Sequence, residues 1–162
     1  VLLMAHKAMT AKLDLAWEQK SPLLALANPE QLLILASIIE KESSMASDRR
    51  TISQVFHNRL RSNMRLQTDP TVIYALGDEF DGDIRSRDLR VDSPFNTYRV
   101  KGLPPTPIAL PSFDSLLAAA QPTDGDYLYF VARGDGTSEF SMTLSEHNAA
   151  VRKFLMHGAK SN

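Results

Sequence analysis

Leu32-Leu33-Ile34-Leu35-Ala36-Ser37-Ile38-Ile39-Glu40-Lys41-Glu42 is apolar at seven of its first eight positions. Projected at about 100° per residue, these side chains cover nearly the whole circumference, the pattern of a helix enclosed by the rest of a fold. Ser37 and Lys41 occupy a narrow polar arc and Glu40 lies at its edge. Glu42 instead falls at roughly 280° from Leu32, between Leu35 and Ile38. The helix therefore ends with a carboxyl group on its apolar side.

Burial disfavours the charged form of a carboxyl group, and the negative end of a helix dipole disfavours it further. Both push Glu42 towards the protonated form. An acid still protonated near neutral pH can turn a glycosidic oxygen, a poor leaving group, into a good one. The pattern leaves two plainer outcomes open. Glu42 emerges into solvent where the helix stops, or it pairs with Arg49, Arg50 or Arg65.

On the N-terminal side, Leu2, Leu3, Met4, Met9, Leu13, Leu15 and Trp17 recur at helical spacing, and residues 21–29 read as a loop. Asn28-Pro29 supplies an N-cap and a first-turn proline to the central helix, which is expected to run to Glu42 or Ser44. On the C-terminal side a helix is expected over residues 48–62, capped by Asp48, with Ile52, Val55, Phe56 and Leu60 as its apolar stripe. Thr68-Asp69-Pro70 reads as a cap opening another helix that stops at Gly77. Residues 78–112 are polar and proline-containing, with a short helix near residues 86–89; irregular chain of that length is often functional. Ser112 caps a short helix to Ala120. Tyr127 to Ala132 and Ser138 to Thr143 read as strands joined at Gly134-Asp135-Gly136, and Leu144 to Met156 as a closing helix. The class is α+β: several helices with a small antiparallel hairpin, in one domain over residues 1–162.

The 162 residues are 43% hydrophobic and 23% charged, enough to bury a core without cross-links. A net charge of -1 argues against a general nucleic-acid binder. Without cysteine there is no disulfide framework, thiol nucleophile or Cys-based zinc site. No run of about 18 apolar residues is present to span a membrane. Neither a phosphate-binding glycine motif, nor a metal-ligand cluster, nor a serine nucleophile elbow occurs, so no cofactor and no metal are expected. Asn96, Thr97 and Tyr98 lie in the irregular region, where they suit either sugar hydrogen bonding or turn formation. Glu146, His147 and Asn148 open the last helix, with Glu146 favoured by the dipole and His147 read as a surface histidine.

Several stretches together resemble one family. They are Ala36-Ser37-Ile38-Ile39-Glu40-Lys41-Glu42, Val55-Phe56-His57-Asn58-Arg59-Leu60, and Met64-Arg65-Leu66-Gln67-Thr68-Asp69-Pro70-Thr71-Val72-Ile73-Tyr74. They continue in order through Asn96-Thr97-Tyr98, Gly102-Leu103-Pro104-Pro105, Pro107-Ile108-Ala109, Tyr127-Leu128-Tyr129-Phe130-Val131-Ala132 and His147-Asn148. This series is similar to the catalytic region of the YceG-like (MltG-type) endolytic murein transglycosylases. Thr106 and Ser112 depart from it, standing where the family often carries glycine.

The resemblance implies cleavage of the β-1,4 bond between N-acetylmuramic acid and N-acetylglucosamine in nascent peptidoglycan glycan strands, leaving a 1,6-anhydro end. It implies Glu42 as the single acid/base, and Gln67, Asp69, Asn96 and Tyr98 as substrate contacts. It also implies a membrane-anchored protein on the periplasmic, extracytoplasmic face of the inner membrane, working beside cell-wall synthases. The chain opens at Val1 and is expected to carry the catalytic domain alone, with an anchor and a LysM-like module outside it. Three rivals remain: a hydrolase of the same polymer, which needs a second carboxylate or a positioned water; a non-catalytic glycan-binding or scaffolding module; and a structural domain whose Glu42 merely pairs with an arginine.

Overall fold

A computed structural model describes residues 1–42 and 45–155. In chain order it contains α1 (Leu2–Glu18), α2 (Pro29–Glu42), α3 (Arg49–Arg61), α4 (Asp69–Leu76), two single 3-10 turns (Gly77–Glu79 and Asp88–Arg90), α5 (Phe113–Ala120), β1 (Tyr129–Ala132), β2 (Ser138–Ser141) and α6 (Leu144–Phe154). This is the expected α+β arrangement of helices with one two-stranded antiparallel sheet. Ser44 and Met156, the outer limits expected for two helices, lie outside the described residues.

The central helix is α2, as its all-round apolar pattern requires. Leu32 and every residue from Ile34 to Ile39 are buried. Asn28 caps it, its side chain accepting from the Gln31 N–H at 2.9 Å, while the Gln31 side chain reaches back to the Ala27 N–H at 2.8 Å. Helices α1, α3, α4 and α5 pack around it. Ala118, Ala119 and Ala120 are buried in the same core as Leu35, Ile38 and Ile39. Small side chains there let α5 approach α2 closely. Ser37, expected in a polar arc, is instead fully buried, because its hydroxyl donates to the Ile34 carbonyl (2.6 Å) and accepts from the Ile108 N–H (3.0 Å).

Strands β1 and β2 pair from Tyr129 with Ser141 to Ala132 with Ser138. The tight connection needs Gly134 and Gly136, both at φ +91°. Phe130 ties the sheet to the helical core through an edge contact with Phe56, ring centroids 5.8 Å apart. Both strands are shorter than the residue pattern predicts, and side chains explain it. The Tyr127 N–H is taken by the Gln54 side chain (3.0 Å) and its carbonyl by that of Asn58 (2.9 Å), so Tyr127 is spent on α3. At the other end Thr143 caps α6, accepting from the Glu146 N–H at 3.2 Å, while the Glu146 carboxylate accepts from the Met142 N–H at 3.0 Å. Asp48 does not cap α3 as expected; its carboxylate accepts from the Ser138 N–H at 2.8 Å and pins β2 to the start of that helix.

Candidate active site

Four segments far apart in sequence converge at the C-terminal end of α2. They are the turn at residues 66–69, the irregular loop at 96–98, strand β1 and the start of α6. Between them lies a cavity of about 560 Å³ whose lining includes Glu42, Arg59, Gln67, Asp69, Tyr98 and Tyr129. His147 and Asn148, from α6, complete part of the lining.

Glu42 keeps some solvent contact but is surrounded closely enough that burial pushes its carboxyl up to about 7. The hydrogen bond from Thr68 opposes that rise, and the negative charge of Asp69 adds to it. None of the three candidate arginines forms an ion pair with Glu42. Arg49 reaches Asp114 at 3.9 Å, Arg50 donates to the Gln121 carbonyl at 2.7 Å, and Arg65 donates to the Arg99 carbonyl at 3.1 Å. Glu42 does make one short contact: the Thr68 hydroxyl donates to its Oε1 at 2.5 Å.

Residues 67–69 are held by a small network of hydroxyl groups. The Thr68 N–H donates to the Thr97 hydroxyl at 3.0 Å, and the Thr71 hydroxyl donates to the Thr68 carbonyl at 2.7 Å. The Thr71 and Thr97 hydroxyls meet at 2.8 Å. Both hydroxyls also lie within reach of the Thr68 carbonyl, Thr71 at 2.7 Å and Thr97 at 3.4 Å. Gln67 sits at φ +51°, left-handed backbone that an L residue rarely adopts, and its N–H donates to the Thr97 carbonyl at 3.2 Å. Beyond it, the Tyr98 hydroxyl donates to Asp69 at 2.5 Å. Burial raises the Tyr98 phenol well above its ordinary value, and the hydrogen bond to Asp69 raises it further, so Tyr98 stays protonated and serves as a donor.

The structure thus brings Glu42, Gln67, Asp69 and Tyr98 to one cavity. It does not bring Asn96 there. Asn96 is fully buried, its amide nitrogen donating to the Leu89 and Val91 carbonyls (3.0 and 2.8 Å) and its oxygen accepting from the Tyr98 N–H (3.0 Å). Its amide is engaged inside the loop, where it holds the Tyr98 backbone in place.

Residue patterns passed over several groups in the cavity wall and directly behind it. Thr68 read as a helix cap, yet makes no side-chain cap bond to α4. Arg59 occupies the same stripe as Ile52, Val55 and Phe56, an apolar face on which an arginine is as anomalous as Glu42 is on α2. It is 7% exposed. Its guanidinium donates to the Leu128 carbonyl (2.7 Å) and the Arg65 carbonyl (2.9 Å) and lies 5.1 Å from the Tyr129 ring. His147, read as a surface histidine, is half-buried and stacks on Tyr129 at 5.1 Å. Thr106 and Ser112 are not at positive φ, and Ser112 caps α5 by accepting from the Ser115 N–H, so neither position calls for glycine. Among the described residues no group of three or more His, Asp or Glu could hold a metal ion.

The cavity holds one carboxylic acid pushed up to about 7 by burial beside a second carboxylate, the kind of perturbed group in a cleft that marks a candidate functional site. Residues 1–153 match the model of the YceG-like family, and the chain belongs to that family. It is 48% identical over 125 residues to the endolytic murein transglycosylase of Bacillus subtilis, a match covering 77% of this chain and 34% of that protein. It is 39% identical over 130 residues to the endolytic murein transglycosylase of Streptococcus pneumoniae, covering 77% of this chain and 24% of that one. A crystal structure of a yceG-like protein from Listeria monocytogenes superposes with a TM-score of 0.69 at 50% identity, covering 75% of this chain and 38% of that chain. The matches therefore span about a third or less of the curated relatives.

Proposed function

We propose that this domain cleaves the glycan strands of peptidoglycan as an endolytic lytic transglycosylase, with Glu42 as general acid and then general base. The observation that carries the reading is the raised carboxyl of Glu42 in the wall of the cavity, titrating at about 7. Such a group is present in both protonation states under physiological conditions, which a residue that gives and then takes back a proton requires. Two relatives named as endolytic murein transglycosylases supply the substrate class.

The bond cleaved is the β-1,4 link between N-acetylmuramic acid and N-acetylglucosamine. Glu42 gives its proton to the glycosidic oxygen as the anomeric C–O bond breaks. The carboxylate left behind takes the proton of the muramyl 6-hydroxyl, whose oxygen closes on the anomeric carbon to form the 1,6-anhydro ring. The proton count returns to its start and no water is consumed. The intramolecular hydroxyl gains from proximity over a free nucleophile. Gln67, Asp69 and Tyr98 are the substrate contacts in this reading, with Asp69 as an acceptor whose orientation the Tyr98 hydroxyl fixes; Asn96 acts only through Tyr98. The whole protein would work at the extracytoplasmic face of the membrane, anchored beside cell-wall synthases.

One observation favours a second reading. Asp69 is exposed in the same cavity, close enough to Glu42 to raise its carboxyl. A carboxylate there could hold a water for attack on the anomeric carbon, giving hydrolysis. Digestion of purified glycan strands by the parent chain and by Glu42→Gln, read by mass spectrometry, separates the cases. Anhydro ends from the parent alone support the transglycosylase, reducing ends support the hydrolase, and binding without cleavage by either supports a non-catalytic glycan-binding module.

A further inference from the structure

We propose that Thr68 is a positioning residue that divides the labour between the two oxygens of Glu42, holding Oε1 as a fixed acceptor so that Oε2 carries the proton into the cavity. The inference rests on the reading of Glu42 as the acid/base. A protonated carboxyl group has one donor oxygen and one acceptor oxygen. A threonine hydroxyl has a single proton, and that of Thr68 is directed at Oε1 across 2.5 Å. Oε1 is then the acceptor oxygen in the acid form, and the acidic proton resides on Oε2. After transfer, Oε2 is the oxygen that accepts the returning proton, while Oε1 keeps its bond to Thr68 throughout. The carboxyl plane need not rotate between the two steps.

The rest of the turn supports this assignment. Thr68 immediately precedes α4, where a threonine side chain ordinarily folds back onto the free N–H groups of its own helix. Here it forgoes that bond. Thr68 is 1% exposed, and its backbone is held on both sides, by Thr97 at the N–H and by Thr71 at the carbonyl. The left-handed turn at Gln67 sets the direction in which the chain enters residue 68. The hydroxyl is therefore aimed by structure that serves no capping purpose.

The test compares Thr68→Val, Thr68→Ala and Thr68→Ser with the parent. In protein labelled with 13C at glutamate carboxyls, the resonance lost in Glu42→Gln identifies Glu42, and its titration is followed in each variant. Removing a hydrogen bond to the ionised form raises the midpoint, here by about one pH unit in Thr68→Val and Thr68→Ala, with Thr68→Ser close to the parent. In glycan digestion kcat falls about ten-fold or more while KM changes little, and the alkaline limb of the pH profile moves with the NMR midpoint. Thr68→Ala gives the same information should the valine disturb folding. An unchanged midpoint in a folded hydroxyl-free variant, or a serine variant as impaired as alanine, overturns the proposal. A midpoint that moves in a protein whose parent cuts no glycan leaves the Thr68 assignment standing and removes the catalytic reading of the cavity.

Discussion

Glu40 and Glu42 stand two residues apart on α2 and are driven in opposite directions. Burial acts to raise both carboxyls. At Glu40 it is outweighed by hydrogen bonds from Ser115 and Ser112 at the start of α5, helped by the charge of Arg49, so the group stays ionised. At Glu42 burial wins and Asp69 reinforces it. One helix thus carries a structural anion and a raised carboxyl on nearly opposite faces, and the difference lies in what faces each.

Replacing Glu42 is expected to stabilise the protein in alkaline solution. The folded carboxyl titrates at about 7 against an unfolded value near 4.5, so the folded state binds the extra proton between those pH values. The contribution of Glu42 to stability is full below about pH 4.5 and is lost as pH rises through 7. Glu42→Gln keeps an acceptor for Thr68 and removes the buried charge. Urea unfolding at pH 8 should show a gain on the order of 2–3 kcal/mol, shrinking to nothing at pH 4.

Glu40→Gln should have the opposite effect. It removes the charge that two serine hydroxyls and the N-terminus of α5 are arranged to bind, at a cost of about 1–2 kcal/mol in thermal unfolding at pH 7. Glycan cleavage per folded molecule should stay within about two-fold of the parent, since Glu40 is not part of the cavity wall.

His57 gives the fold an acid limit. It is fully buried, its Nδ1 accepting from the Ala25 N–H at 3.2 Å and its Nε2 donating to the Ala119 carbonyl at 2.9 Å, which requires the neutral ring. Burial lowers its pKa to about 4. The unfolded chain binds the proton first as pH falls, so stability should decline between about pH 6.5 and pH 4, by on the order of 3 kcal/mol. His57→Gln should flatten that slope in a pH series of unfolding curves.

Asn96→Ala and Tyr98→Phe should separate support from contact. The alanine leaves the Leu89 and Val91 carbonyls and the Tyr98 N–H without their partner and should cost about 2–4 kcal/mol in unfolding. Tyr98→Phe removes only the hydroxyl that reaches Asp69 from a half-buried ring, and should leave the melting temperature nearly unchanged while slowing glycan cleavage about ten-fold or more.

Much of this arrangement was legible in the residue pattern, because the decisive signals were local. The all-round apolar face of residues 32–39 placed α2 at the centre, and its phase singled out Glu42. Asn28, Ser112 and the glycines of the hairpin turn announced their roles by position. What could not be read were the choices made between competing partners. Asp48 and Thr68 both look like caps, and each is diverted by a group more than twenty residues away in sequence, the Ser138 N–H and the Glu42 carboxyl. For Asn96 the pattern suited sugar bonding and turn formation equally, because polarity in a long loop does not distinguish facing outwards from facing inwards. Arg59 was detectable by the logic used for Glu42, as a charged residue on an apolar stripe.

The cavity is assembled from α2, the turn at 66–69, the loop at 96–98, β1 and α6, none of which contains it alone. Until those segments dock, Glu42 is an ordinary glutamate near 4.5, ionised and unable to give up a proton at neutral pH. Under the proposed reading, the newly made chain is inert towards glycan until folding has assembled those segments around Glu42. The same holds in reverse: any partner that pries residues 66–69 away from α2 would disarm the acid without touching it.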